Sequence, residues 1–337
     1  MRKILVVGPS WVGDMVMAQS LFKVLRATDD CLIDVLAPAW SLPVLARMPE
    51  VHRGVVMPLG HGELGLGKRW ALGRALAREA YAQAIILPGS LKSALMPFFA
   101  RIPQRTAFRG EMRYGLVNDM RPLDRAALPM TVQRFVALGL PRGALAPSPL
   151  PPPRLVADAE NQRALPARFG LDAARPAIAF MPGAEYGPAK QWPPAHYAAL
   201  ARDLVDRGFQ IWVLGSDRDS IAAHAIADAS ADPAMVFDLT GRTTLGDAVD
   251  LLAMTRAAVT NDSGLMHVAA ALDVPLVAIF GSSSPEHTPP LALRVAIESL
   301  RLECSPCFER HCPLGHTRCL TGIGPERVFA ALAGLGV

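Results

Sequence analysis

Runs of apolar residues of strand length alternate with stretches of helical spacing along the first half of the chain. KILVVG near the N-terminus is a continuous apolar run, as expected of a parallel strand buried on both faces. Helical spacing follows from Met15 to Ala27, then a second strand, LIDVLAP, ending at Pro38. VVMPL around residue 57, a helical stretch over residues 68–81 and the strand AIILPGS ending at Ser90 continue the rhythm. Strand–helix alternation of this kind predicts a doubly wound α/β domain.

Residues 147–153 read PSPLPPP. Five prolines in seven residues exclude both a helix and a central strand, so the segment predicts a stiff, extended linker. The pattern then restarts: AIAFMPGA, a helix over residues 194–207, QIWVLGS, a helix through the alanines after Asp219, AAVTNDSG, and a closing strand VPLVAIFGSS. The expected organisation is an N-terminal α/β domain over residues 1–150 and a C-terminal one over 151–337, each Rossmann-like and doubly wound. They are expected to face a central cleft, with ligands at the carboxyl ends of the strands. The last helical stretch, residues 325–335, fits either domain.

Size and composition agree with this picture. At 337 residues the chain has room for two cores, and 51% hydrophobic against 19% charged residues describes a well-buried globular protein. A formal charge of +4, from 34 Lys and Arg against 30 Asp and Glu, is too small to imply nucleic acid. The first apolar run is short and broken by Gly8, Pro9, Gly13 and Asp14, which marks it as a buried strand and not a signal peptide; no apolar window is long enough to span a bilayer. A cytoplasmic protein is expected, with contact at a membrane surface left open.

Three loops carry candidate chemistry. GPSWVGDM, residues 8–15, has the glycine spacing of a phosphate-cradling loop until Asp14, where that motif needs lysine. Asp14 is either a residue that favours the first turn of a helix or a general base able to take a proton from a sugar hydroxyl. MPGAEYGPAKQWP, residues 181–193, places Gly183 and Lys190 just ahead of a helix start, where a cation suits a diphosphate; a solvated surface lysine is the plainer alternative. In TNDSGLMHVAAALDVP, residues 260–275, Asp262, Ser263 and Gly264 open a helix whose free N–H groups can bind an anion, or simply cap it, and His267 reads as a half-buried histidine. The last two loops together suit a nucleotide diphosphate.

Arg101, Arg105, Arg109 and Arg113 recur every fourth residue near Lys92, with Phe108 and Tyr114 interleaved. They form either a solvated charged face or a cationic area for a carboxylate- or phosphate-bearing acceptor. Cys304, Cys307, Cys312 and Cys319 lie within sixteen residues, with His311 and His316 among them and Cys31 far away. CxxC is half of a zinc site, but the remaining spacing is irregular, and free thiols are the plainer reading. No metal ligand is assigned.

The segments GPSWVGDMVMAQSLF, DVLAPAW, MPLGHGELGLGKR, RTAFRGEMRYGLVND, PGAEYGPAKQWP, NDSGLMHVAAAL and CSPCFERHCPLGH, in this order, resemble the ADP-heptose:lipopolysaccharide heptosyltransferases, glycosyltransferase family 9 with the GT-B fold. The likeness spans essentially the whole chain. It is greater to the branch that adds the second heptose (heptosyltransferase II type) than to the branch that adds the first. It implies an inverting transfer without metal or other cofactor from ADP-L-glycero-β-D-manno-heptose, held by the C-terminal domain. The acceptor it implies is the first heptose of Kdo-lipid A, held by the N-terminal domain at the cytoplasmic face of the inner membrane. By the same resemblance Asp14 is the base and Lys190 neutralises the diphosphate. Gly183, Asp262, Ser263, Gly264, Leu265, Met266 and His267 line the donor site, and Asp238 binds a ribose. Ser10, Lys92, Arg105, Arg109 and Arg113 meet the acceptor. Glu185 and Tyr186 stand where relatives in the first-heptose branch carry hydroxyl residues. The alternatives are transfer to Kdo itself, or a nucleotide-sugar 2-epimerase of the same architecture, which needs no acceptor patch.

Overall fold

The computed structural model describes residues 1–60, 62–230 and 232–337. His61, within the quoted segment MPLGHGELGLGKR, lies outside the described residues. The chain divides into two compact units, Met1–Leu155 and Val156–Val337.

Unit 1 contains β1 (Arg2–Val7), α1 (Val12–Thr28), β2 (Cys31–Pro38), α2 (Leu42–Leu45), β3 (Val51–Met57), α3 (Leu66–Leu76), β4 (Gln83–Ile86), α4 (Leu91–Phe99), β5 (Gln104–Phe108), β6 (Asp119–Arg121) and α5 (Thr131–Gly139). Its six strands are all parallel, in the order β3-β2-β1-β4-β5-β6. Ile4 to Val6 and Ala84 to Ile86 are fully buried, as expected of central parallel strands covered on both faces. The sheet is wound outward in both directions from β1, and the winding reverses between β1 and β4.

Unit 2 contains α6 (Ala159–Phe169), β7 (Ala177–Met181), α7 (Pro194–Val205), β8 (Gln210–Val213), α8 (Ser220–Asp228), β9 (Val236–Asp238), α9 (Leu245–Leu252), β10 (Ala257–Asn261), α10 (Gly264–Ala271), β11 (Leu276–Ile279), β12 (Val295–Glu298), α11 (Arg318–Thr321) and α12 (Pro325–Gly334). The order β12-β11-β10-β7-β8-β9, again all parallel, is the same topology repeated, with its reversal between β7 and β10. Val328 and Leu332 of α12 belong to the core built on Ile178, Ile211 and Val277, so the last helix packs within unit 2. VPLVAIFGSS is not the closing strand, because the half-exposed β12 extends the edge beyond β11.

The proline-rich segment lies against α1. Ser20 Oγ donates to the Pro151 carbonyl at 2.7 Å, Lys23 Nζ to that of Pro152 at 2.6 Å, and the Gln19 amide exchanges hydrogen bonds with the backbone N–H and carbonyl of Arg154. These bonds tie residues 151–154 to unit 1, five residues past the expected division after residue 150.

One polar network sits inside unit 1. The Asp34 carboxylate in β2 is 2% exposed. It accepts from Tyr81 Oη at 2.6 Å and Arg53 at 2.7 Å, and pairs with His52 Nδ1 at 2.8 Å. Burial pushes its pKa up, but hydrogen bonds from Tyr81, His52 and Arg53 outweigh burial and hold it below the usual carboxylate range. In Asp34→Ala the half-exposed Arg53 and His52 can return to water, whereas the buried Tyr81 hydroxyl loses its acceptor. Urea unfolding of that variant is expected to show a loss of about 1–3 kcal/mol.

Candidate functional site

In open parallel sheets, ligands bind at the carboxyl ends of the strands where the winding reverses. In unit 1 that point is flanked by the loop after β1 and the loop after β4. Residues 8–11 lead from β1 straight into α1, whose first turn holds Asp14. No side chain caps this helix at Trp11, and a carboxylate in the first turn interacts favourably with the helix dipole. Asp14 is partly exposed and Ser10 is exposed. Across the reversal, Ser90 leads into α4, with Lys92 in its first turn and the Glu111 carboxylate accepting from the Leu91 N–H at 2.7 Å.

The four-residue arginine spacing does not describe one face of a helix, because Arg105 lies in β5 and Arg109 and Arg113 in the following loop. Arg113 is only 1% exposed. Its guanidinium donates to the carbonyls of Pro88 at 2.8 Å and Phe108 at 2.5 Å, fastening the 108–113 loop over the end of β4. Arg105 donates to the Leu116 and Ile102 carbonyls, both at 2.6 Å. Arg109 has the exposed side chain. Of the cations predicted to meet an acceptor, Arg113 and Arg105 hold the loop's shape, while Arg109 and Lys92 remain at its surface.

In unit 2 the loops after β7 and β10 come together. Lys190 ends a short 3₁₀ turn, and its Nζ meets the Asp262 carboxylate at 2.5 Å; Asp262 is 7% exposed. Asn261, at the end of β10, accepts from the Trp192 N–H at 3.0 Å and donates to the Pro182 carbonyl at 2.5 Å, stitching the two loops together a second time. Beneath them Trp192, Tyr197 and Phe180 form a buried aromatic stack. Gly183 runs close against Asp219, where a Cβ would stand 2.5 Å from the carboxylate.

Helix α10 starts at Gly264 with Ser263 at the cap position, yet the Ser263 side chain makes no cap hydrogen bond. Its hydroxyl instead lies 3.3 Å from that of Thr260. Among the described residues the first-turn N–H groups of Gly264, Leu265 and Met266 thus receive no cap from Ser263, the arrangement that suits an anion at a helix N-terminus.

Asp238 lies at the end of the edge strand β9. Its carboxylate accepts from the Thr240 N–H and hydroxyl at 2.9 and 2.6 Å and pairs with His224 at 3.3 Å. Two residues stand beside Lys190 that were not among the expected donor ligands: Tyr186, noted in the sequence only as a departure from relatives, and Arg310. The Tyr186 ring lies between two cations, with Lys190 Nζ 5.1 Å and the Arg310 guanidinium 5.2 Å from its centroid. Arg310 is 120 residues away along the chain, and its only sequence signal is the unusual composition of the cysteine-rich segment.

His267 is 6% exposed in α10. Burial lowers its pKa to about 4; Asp262 opposes that shift and Lys190 adds to it. The folded value lies below the unfolded one, so this group contributes stability above about pH 6.5 that is lost as pH falls toward 4. The full effect is about 3 kcal/mol. Urea denaturation at a series of pH values is expected to show a decline over that window, and His267→Gln should flatten it.

Comparison with known proteins gives the family. The model of glycosyltransferase family 9 (heptosyltransferase) matches residues 69–318. Lipopolysaccharide heptosyltransferase 2 of Salmonella typhimurium is 48% identical over 341 residues, covering 99% of this chain and 98% of that protein. The structure of E. coli ADP-heptose lps heptosyltransferase II matches with a TM-score of 0.89 at 45% identity, over 99% of this chain and 98% of that one. E. coli heptosyltransferase WaaC with ADP has a TM-score of 0.71 at 20% identity over 99% and 100% of the two chains, a likeness of fold. Two parallel six-stranded α/β units, the paired loops at each winding reversal and these matches along nearly the full length have one common meaning: the chain belongs to glycosyltransferase family 9, the heptosyltransferases.

Proposed function

We propose that the enzyme is a heptosyltransferase of lipopolysaccharide core biosynthesis that moves L-glycero-D-manno-heptose from ADP-heptose to the first heptose of the Kdo-lipid A inner core. The observation that carries this reading is the 48% identity to a lipopolysaccharide heptosyltransferase 2 over 99% of the chain. Membership of glycosyltransferase family 9 weighs against the nucleotide-sugar 2-epimerase alternative, which would turn over the donor with no acceptor present.

In this reading unit 2 holds the donor. The diphosphate lies against the first turn of α10 (Gly264, Leu265, Met266), with Lys190 as its counter-ion and Gly183, Asp262, Ser263 and the neutral His267 around it. Lys190 is already paired with Asp262, so the diphosphate joins an existing ion pair and shares the ammonium. The exposed Arg310 adds a second cation across Tyr186. Asp238 is proposed for the ribose, which would share the carboxylate with Thr240.

Unit 1 holds the acceptor through Ser10, Lys92 and Arg109, with Arg105 and Arg113 keeping the loop in shape. Asp14 accepts the proton of the attacking hydroxyl as its oxygen bonds to the anomeric carbon. The bond from that carbon to the diphosphate breaks on the opposite face, so configuration inverts and ADP leaves. Among the described residues no helix is long and apolar enough to cross a membrane. The acceptor's own lipid anchor places the reaction at the cytoplasmic face of the inner membrane. The exposed Trp70, Met112 and Tyr114 of unit 1 supply apolar surface for peripheral contact there.

An acceptor series bearing zero, one or two heptoses tests the assignment directly. Only the one-heptose core is expected to be extended, and efficient transfer to the heptose-free core would reassign the enzyme to the first step. Asp14→Asn should lower transfer by roughly 10²–10⁴-fold while leaving ADP-heptose binding nearly unchanged; retention of about a tenth of the rate removes Asp14 as the base. Lys190→Ala is expected to raise the donor KM by roughly tenfold or more in steady-state kinetics, the size of a lost charge-assisted hydrogen bond. Arg109→Ala should act on the acceptor KM alone, and Arg113→Ala on thermal stability.

A further inference from the structure

Cys304, Cys307, Cys312 and Cys319 play no part in the mechanism above, yet all four line one cavity of about 20 Å³ in unit 2. That is room for a single water-sized occupant. All four are free thiols. We propose that these four cysteines bind one thiophilic divalent cation, zinc by class, which braces the loop carrying Lys190.

Two observations apart from the spacing point to a bound cation: the shared cavity and an unpartnered hydroxyl on its wall. The cavity wall includes Ser282, a residue 1% exposed whose hydroxyl has no hydrogen-bond partner among the described residues, an unmet polar group beside the thiols. The backbone after Cys312 wraps back on itself, with the Gly315 N–H donating to the Cys312 carbonyl at 3.1 Å. Gly315 and Thr317 take left-handed φ values of 70° and 46° along this wrap. His316, which also faces the cavity, uses Nδ1 to accept from the Arg318 N–H, leaving the sulfurs as the natural ligand set.

A four-sulfur set selects zinc or a similarly soft ion over magnesium or calcium. Among the described residues no three such side chains already stand at metal-holding geometry, so the proposal requires the thiols to move inward on binding. Each ligating thiol releases its proton to solvent on binding.

The cysteine segment touches the donor loop at several places. The Ala189 N–H donates to the Arg310 carbonyl at 3.1 Å, and Tyr186 Oη to that of Phe308 at 2.6 Å. Gly187 packs so close that a Cβ there would sit 2.6 Å from the Arg310 carbonyl oxygen. Behind the segment, the Phe308 N–H donates to the Ser282 carbonyl at 2.7 Å and Ser305 Oγ to that of Gly281 at 2.5 Å. An ion fixing residues 304–319 therefore fixes Tyr186, Ala189 and, one residue on, Lys190. The bracing role rests on the donor site proposed above; the metal site does not.

The test uses the full chain, purified under reducing conditions, stripped with a chelator and titrated with cobalt(II), then zinc. The expected result is one equivalent of cobalt with tetrahedral and thiolate charge-transfer absorption, displaced by one equivalent of zinc. Cys307→Ser and Cys319→Ser should each weaken binding by roughly tenfold or more, and Cys31→Ser should leave it unchanged. Native mass spectrometry of zinc-loaded wild-type protein reads the same stoichiometry without any variant. The proposal is overturned if the reduced protein takes up no cobalt, or if uptake survives in the double variant Cys307→Ser/Cys319→Ser. Zinc loading should also lower the donor KM several-fold with less change in kcat, and an unmoved KM overturns the bracing role.

Discussion

A parallel sheet wound outward in both directions from its first strand cannot close over the point where the winding reverses. The loops leaving the two central strands depart to opposite sides, and the backbone between them is left without a covering element. Both units obey this constraint, at β1/β4 and at β7/β10, and most of the residues proposed for the reaction lie there, with Asp238 on the edge strand β9 apart from them. What differs is how each unit fills the gap. Unit 1 places a carboxylate in one helix turn and a lysine in another. Unit 2 closes the gap with Lys190–Asp262 and Asn261, leaving the N-terminus of α10 as its open polar surface.

That closure has an electrostatic logic. Asp262 lies close to the helix end that is proposed to receive an anion, and a bare carboxylate there would repel a diphosphate. Pairing with Lys190 cancels that charge before any ligand arrives. Burial keeps His267 neutral beside the pair, so no further positive charge is trapped in the low-dielectric interior. The resulting site presents dipoles, one shared ammonium and, across Tyr186, the exposed Arg310, in place of a cluster of free charges.

The central strands were legible in the sequence because burial on both faces demands continuous apolar runs. β1, β4, β7, β8, β10 and β11 have them, and in β2 only Asp34 interrupts the run. QRTAF, DMR, VFD and VAIE were not read as strands. They are short, carry charges or lie toward a sheet edge, so tertiary pairing and not local pattern makes them extended. In the candidate sites, the loops were visible through glycine and proline at strand ends. The arginines were not separable, because Arg105 and Arg113 differ from Arg109 through the carbonyls they meet, and those come from chain segments that no local spacing reveals. Arg310 escaped notice for the same reason, since its place beside Tyr186 depends on a loop contact across the unit.

The proline-rich segment illustrates a further economy. Its course over residues 151–154 is read by Gln19, Ser20 and Lys23 through backbone carbonyls and an N–H, not through its own side chains. Any residue that tolerates an extended backbone can occupy those positions without changing the path. Variation between relatives is therefore free to accumulate in the segment itself, while the helix face beneath it is held to side chains of the right length and polarity. The instruction for where one unit ends is written in α1, some 130 residues before the place it governs.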